Sequence, residues 1–316
     1  MTLGVSKPSC ILVLVLRSLL LFLSNRSSIR HWVETSSITN RLTSRFIAGD
    51  SLDAEIAVCQ RLNAEHILTS VDYLGENVTS LEEASASRDA YLAILKKIED
   101  VRLNSTVSIK LTQLGLDLSE QQCQANLEQL VTCANEIGSG VEVDMESSEY
   151  GDRTLGIVSE INAKLGNVRA VIQAYLYRSE QDIEALSRQN IPVRLCKGAY
   201  QEPPEVAYPR KTDVDANYVR LMKALLDHGA YPAIATHDEQ ILNEAVRYIQ
   251  EKRLDAARFE FQMLYGIRRD LQSRLVQQGY RLRLYVPYGN AWYPYFMRRL
   301  AERPANVAFL ARNLWR

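Results

Sequence analysis

Residues 106–145 read TVSIKLTQLGLDLSEQQCQANLEQLVTCANEIGSGVEVDM. Two short runs rich in β-branched residues, TVSIKL (106–111) and GVEVDM (140–145), flank QQCQANLEQLVTCANEIG (121–138), whose apolar residues recur at helical spacing and which closes on Gly138 as a C-terminal cap. The stretch therefore predicts a strand, a helix and a second strand. The same alternation extends outward in both directions. HILTSVD (66–72) precedes it, and VRAVIQAYL (168–176), PVRLC (192–196), YPAIATH (231–237), FEFQML (259–264) and LRLYVP (282–287) follow, with EEASASRDAYLAILKKIEDV (82–101) and DEQILNEAVRYIQEKR (238–253) among the helical segments between them. Eight such units after a helical N-terminal region predict an α/β fold, a (β/α)8 barrel of the TIM type with extra N-terminal helices. A doubly wound sheet is the alternative, but no G-x-G-x-x-G follows the first strand, and GSGVEV (138–143) lacks the third glycine.

Composition agrees with a globular chain: 316 residues, 47% apolar and 24% charged. Lys+Arg number 37 against 38 Asp+Glu, so the overall balance offers no polyanion-binding surface and argues against nucleic acid as a partner. The five cysteines (Cys10, Cys59, Cys123, Cys133, Cys196) contain no C-x-x-C, and the four histidines never fall at metal-ligand spacing, so neither a disulfide framework nor a zinc site is indicated and a reducing compartment fits best. The run ILVLVLRSLLLFLS (11–24) is apolar on all sides, and no acid occurs before Glu34. It is short for a membrane span and carries Arg17; as a leader it lacks an A-x-A-like site; as a helix packed on the domain or lying on a membrane surface it meets no such objection. The expected division is a helical segment over 1–65, with 1–16 as an extension, and a catalytic barrel over 66–316.

Alternation within each strand sorts side chains to opposite faces. In VSIKL, Val107, Ile109 and Leu111 oppose Ser108 and Lys110; in VEVDM, Val141, Val143 and Met145 oppose Glu142 and Asp144; in VRLC, Val193 and Leu195 oppose Arg194. Glu260 and Gln262 oppose phenylalanines, and Arg283 and Tyr285 oppose Leu284. The apolar face must meet the helices, so the charges look into the barrel. Unpaired buried charge is costly, and these groups must pair with each other or with a charged ligand. An internal salt-bridge network closing the barrel is one reading. Lys110, Asp144 and Arg194 lie late in their strands, where barrel active sites form, and for them the functional reading is the stronger.

After the eighth strand, YVPYGNAWYPYFMRRLAERPAN (285–306) places Tyr295 three residues before Arg298 and four before Arg299. On a helix both arginines flank the tyrosine's face, where two guanidiniums could grip one carboxylate. Cations at the end of a surface helix are the plainer explanation, but the position after strand eight faces the same mouth as Lys110 and Arg194.

The series VSIKLTQLG, VEVDME, QAYLYRS, RLCKGAY, ATHDE, FEFQMLYGIR and YVPYG…YPYFMRRLAERPAN resembles, in order, the motifs of the monofunctional bacterial proline dehydrogenases, from about Arg17 to the C-terminus. The resemblance implies a distorted (β/α)8 barrel that holds FAD without a Rossmann element. It implies oxidation of L-proline to Δ1-pyrroline-5-carboxylate, the first step of proline catabolism to glutamate, with electrons passed to a membrane quinone. It further implies a cytoplasmic enzyme peripherally associated with the bacterial inner membrane, leaves room for a homo-oligomer, and requires no metal. By position it assigns Arg298, Arg299 and Lys110 to the proline carboxylate, and Tyr200, Tyr285, Tyr295 and Leu195 to the ring. Arg194 falls at the flavin N5 region and Asp144 at the ordering of the cationic cluster, the two catalytic assignments. Met145, Gln173, Lys197, Gly198, Ala199, Thr236 and His237 fall at further flavin contacts. Gly198 suits close approach to a flat cofactor; His237 and Lys197 alone would read as a structural histidine and a solvated lysine. Cys196 stands where the motif expects valine. Two other classes remain open on the residues alone: a Schiff-base aldolase using Lys110 or Lys197, and a non-enzymatic scaffold docked to membrane through residues 11–24.

Overall fold

In the computed structural model the described residues are 46–75, 77–289 and 291–292. All eight expected strands form: β1 Leu68–Tyr73, β2 Ser105–Ile109, β3 Val141–Val143, β4 Val168–Gln173, β5 Val193–Cys196, β6 Ala233–Ala235, β7 Glu260–Leu264 and β8 Leu282–Tyr288. They pair in parallel in sequence order, and β8 returns to β1, closing the barrel. Register aligns Asp72, Ser108, Glu142 and Arg169 across β1 to β4, so polar side chains of four adjacent strands become neighbours.

Helix α1 (Leu52–Ala64) precedes β1, and α2 (Leu81–Asp100), α3 (Glu120–Glu136), α4 (Gly151–Leu165), α5 (Ser179–Arg188), α6 (Lys211–His228), α7 (Glu239–Lys252) and α8 (Arg269–Gln277) follow β1 to β7. Starts are set locally: Ser51, Ser80, Ser119 and Asp238 each accept a hydrogen bond from a backbone N–H in the first turn of α1, α2, α3 and α7. Val71, Val107, Ile109, Val143 and Leu195 are fully buried on the outer strand faces, against the helix ring. Each such side chain contributes roughly 1.5–3 kcal/mol.

Helix α1 packs against both β1 and β8. The compact unit accordingly runs from Ala48 to Gly289, so the expected boundary at 65/66 falls inside it; residues 46, 47, 291 and 292 belong to a second unit. Strand β4 stops at Gln173, short of the expected Leu176. Beyond it Leu176 bridges to Ala207, the Tyr177 N–H donates to the Val206 carbonyl and the Tyr208 N–H donates to the Tyr175 carbonyl, which draws the chain away from the barrel.

Among the described residues no helix is long and apolar enough to cross a membrane, and no cluster of His, Cys, Asp or Glu has metal-site geometry. Residues 11–24 and the expected site residues Tyr295, Arg298 and Arg299 lie outside the described residues.

Candidate active site

The parallel strands bring Asp72 (β1), Lys110 (after β2), Asp144 (after β3), Arg194 (β5) and Tyr285 (β8) to one end of the barrel interior. Lys110 is 7% exposed, and its Nζ lies 3.2 Å from Asp72 Oδ1 and 3.7 Å from Asp144 Oδ2. Arg194, 5% exposed, donates from Nη1 to Asp144 Oδ1 (2.7 Å), from Nε and Nη2 to Glu142 Oε2 (3.1 and 2.5 Å), and from Nη2 to Ser108 Oγ (2.7 Å). The Tyr285 hydroxyl donates to Asp144 Oδ2 at 2.8 Å, and the Arg194 guanidinium sits 5.4 Å from the centre of the Tyr285 ring. Asp144 thus joins a lysine, an arginine and a phenol, and at 15% side-chain exposure it is the most open carboxylate of the group.

Ionisation follows from burial and partners. Burial pushes the Asp72 carboxyl above its ordinary value; Lys110 opposes this and Asp144 adds to it. Burial, then Asp144 and Asp72, raise the Tyr285 hydroxyl well above a free phenol. Burial works against the Arg194 charge, but Glu142 and Asp144 outweigh it and the guanidinium is held protonated more firmly than usual.

A second layer lies beneath. Arg169 Nη1 meets Glu260 Oε1 at 2.8 Å and Glu142 Oε2 at 3.1 Å. Arg283 forks onto Glu260 through Nε (2.8 Å) and Nη2 (3.1 Å), and Gln262 Nε2 donates to both Glu142 and Glu260. The bland expectation of an internal ion-pair network therefore describes this floor.

The other expected residues distribute as follows. Tyr200 and Ala199 are half-buried in the loop after β5. Lys197 Nζ is held by Asp215 (2.5 Å) and Asp238 (2.8 Å). Gln173 donates to the Glu146 carbonyl, Thr236 Oγ1 accepts from the Asp238 backbone, and His237 Nε2 accepts from the Leu264 backbone N–H at 2.8 Å, which makes Nδ1 the protonated ring nitrogen. All sit at the C-terminal ends of β4, β5 and β6. Met145 is buried in the apolar core. Gly198 has φ +108°, and a Cβ there would lie 2.2 Å from the Tyr175 ring, so a packed tyrosine already demands the glycine.

Leu195 is fully buried beside Arg194 in β5, paired in register with Ile172 and Ile234. Leu264, ending β7 on the face of Glu260 and Gln262 and paired with Tyr285, is the leucine that faces inward. Asp72 and Arg169 escaped the sequence reading although alternation in TSVD and VRAV carried the signal. Both lysines proposed as Schiff-base nucleophiles engage two carboxylates each, whereas that chemistry needs a free amine lone pair.

Residues 56–312 match the model of the family described as Proline dehydrogenase. The chain belongs to the proline dehydrogenase family. It is 39% identical over 300 residues to "Proline dehydrogenase 1" of Bacillus subtilis (strain 168), covering 95% of this chain and 99% of that one. To "Proline dehydrogenase" of Deinococcus radiodurans it is 39% identical over 280 residues, covering 86% and 90%. Among solved structures, proline utilization A from Bdellovibrio bacteriovorus, inactivated by N-propargylglycine, superposes with TM-score 0.79 at 26% identity, covering 91% of this chain. The chain spans 36% of that larger protein's length. The expected barrel and the expected family both hold, and family membership removes the scaffold and aldolase readings.

Proposed function

We propose that this proline dehydrogenase family member oxidises L-proline to Δ1-pyrroline-5-carboxylate with FAD in the barrel mouth and passes the electrons to a membrane quinone. The observation that carries the reading is the Lys110–Asp144–Arg194–Tyr285 cluster at the strands' C-terminal end, the end at which barrels conduct chemistry. The donor set fits a flavin. Arg194 has five N–H groups, of which four are engaged by Glu142, Ser108 and Asp144, leaving one on Nη1. His237 Nδ1–H and the Lys197 ammonium lie at neighbouring strand ends, where a ring and a diphosphate would be held by Arg194, Gln173, Lys197, Gly198, Ala199, Thr236 and His237, with Met145 behind them. A bound flavin would supply the hydride acceptor that no side chain here provides.

The chain's own residues seat the substrate. Among the described residues the interior charges balance: Lys110, Arg169, Arg194 and Arg283 against Asp72, Glu142, Asp144 and Glu260. A substrate carboxylate adds one negative charge, which Arg298 and Arg299 would neutralise beside Lys110. Asp144 keeps the Lys110 ammonium and the Tyr285 hydroxyl in fixed relation, while Tyr200, Tyr285, Tyr295 and Leu264 would enclose the ring. Fixing the carboxylate orients the C5–H bond and makes transfer effectively unimolecular. The ring nitrogen sheds its extra proton before the C=N bond forms, and burial among cations favours that neutral amine.

The test is purification of the full chain with its flavin and anaerobic addition of L-proline. The reading requires the flavin absorbance to bleach; a colourless protein that takes up no FAD, or a yellow one indifferent to proline, overturns it. Replacing Arg298 by Met should raise the apparent KM for proline steeply at unchanged flavin content. Contact with the membrane through residues 11–24 would show as liposome co-sedimentation lost on their deletion.

A further inference from the structure

Glu142 is the one carboxylate among the described residues that touches both interior layers. It is 1% exposed in β3, and its Oε2 receives Arg194 Nε and Nη2 from the mouth and Arg169 Nη1 (3.1 Å) and Gln262 Nε2 (3.1 Å) from the floor. Its Oε1 accepts from Thr106 Oγ1 at 2.6 Å and lies 3.8 Å from Arg283 Nε. Three guanidiniums thus converge on one carboxylate. On the mouth side, Glu142 and Ser108 together take three of the five Arg194 N–H groups, Asp144 takes a fourth, and the Ser108 hydroxyl is braced by Ser70 Oγ at 2.9 Å. Two bonds from adjacent nitrogens to one oxygen fix the plane of a guanidinium more firmly than the single bond to Asp144 does.

We propose that Glu142 is a positioning residue for Arg194: it sets the direction of the remaining Nη1 N–H, and by sharing its charge with Arg169 it sets how much of the Arg194 charge is felt at the mouth. The proposal rests on the flavin and proline reading of the site for its kinetic consequences, but its structural core does not.

The test uses the full-length chain in two states. Without flavin, hydrogen exchange of the Arg194 side-chain N–H groups is followed by NMR, with Arg194→Lys identifying the signals. In Glu142→Gln this exchange should accelerate about tenfold or more, the factor expected from losing a charge-assisted bond, while Glu142→Asp recovers part of the protection. Unchanged exchange in a folded Glu142→Gln protein overturns the proposal. With flavin bound, Glu142→Gln should lower kcat per flavin by about 10- to 100-fold, the range seen when a supporting partner of a reactive group is removed, with KM for proline within about twofold because other groups hold the carboxylate. The flavin midpoint potential should rise, since an anion is lost beside a site that gains electrons.

Arg169→Met supplies a control of opposite sign, and it stands even where Glu142→Gln fails to fold. Removing this floor cation leaves Glu142 more fully on Arg194, so the potential should fall; an unmoved or raised potential overturns the proposal. A chain that binds no flavin sinks the proposed function and leaves the exchange measurement to decide the positioning role.

Discussion

Asp72 in the mouth and Glu260 in the floor are both fully buried strand carboxylates, yet their ionisation is driven in opposite directions. Burial pushes both upward. At Glu260, Arg283 and Arg169 overcome it, aided by Gln262 and the Tyr231 hydroxyl, and the carboxyl is lowered from its ordinary value. At Asp72 one ammonium at 3.2 Å does not suffice, Asp144 adds repulsion, and Oδ2 has no hydrogen-bond partner among the described residues; the carboxyl is raised. The floor is a closed ion-pair set that holds the barrel together, whereas the mouth is left incompletely paired. That underpaired carboxyl costs stability, and such a cost is characteristic of functional sites.

The strongest way to break this contrast is Glu260→Gln. It leaves Arg169 and Arg283 facing each other with only Glu142 between them, and should cost about 3–5 kcal/mol in a denaturation experiment. A cost below about 1 kcal/mol would remove the floor's stabilising role. Next comes Tyr285→Phe, which deletes the donor to Asp144 Oδ2; kcat/KM should fall about tenfold while the melting temperature barely moves. If stability fell and turnover did not, Tyr285 would belong with the floor.

The smallest effect is also the one with a sign. Asp72 is raised above 3.8 in the folded state, so ionising it penalises folding, and wild-type stability from this group declines as pH rises above 3.8. Asp72→Asn should therefore gain on wild type as pH rises above about 4. Glu260 behaves oppositely: its contribution is present above 4.5 and is lost as pH falls toward about 2. Parallel pH–stability curves for wild type and Asp72→Asn would contradict the assignment.

Much of this contrast was legible in sequence, and the illegible part has a physical cause. Period-two alternation assigned Lys110, Asp144, Arg194, Glu142, Glu260 and Arg283 to the barrel interior, because a side chain's face depends only on its own strand. Partner choice depends on register between strands, so nothing in VRAVIQ linked Arg169 to Glu260, 91 residues away. Leu195 was placed at the mouth by resemblance, whereas its alternation with Arg194 assigns it to the opposite strand face. The length of β4 was overread because 174–176 is apolar; what ends the strand is a loop that no local pattern announces. The glycine at 198 was readable as special, but its reason, the Tyr175 ring, belongs to the previous strand's loop.

The central claim is that the mouth's cationic edge seats a substrate carboxylate that the floor's does not. It is tested most directly by the apparent L-proline affinity in an anaerobic flavin-bleaching titration of Lys110→Met against wild type. The account predicts affinity weaker by about 10- to 100-fold at equal flavin content, the loss of one charged hydrogen bond to the carboxylate. Equal affinity in the two proteins would contradict it.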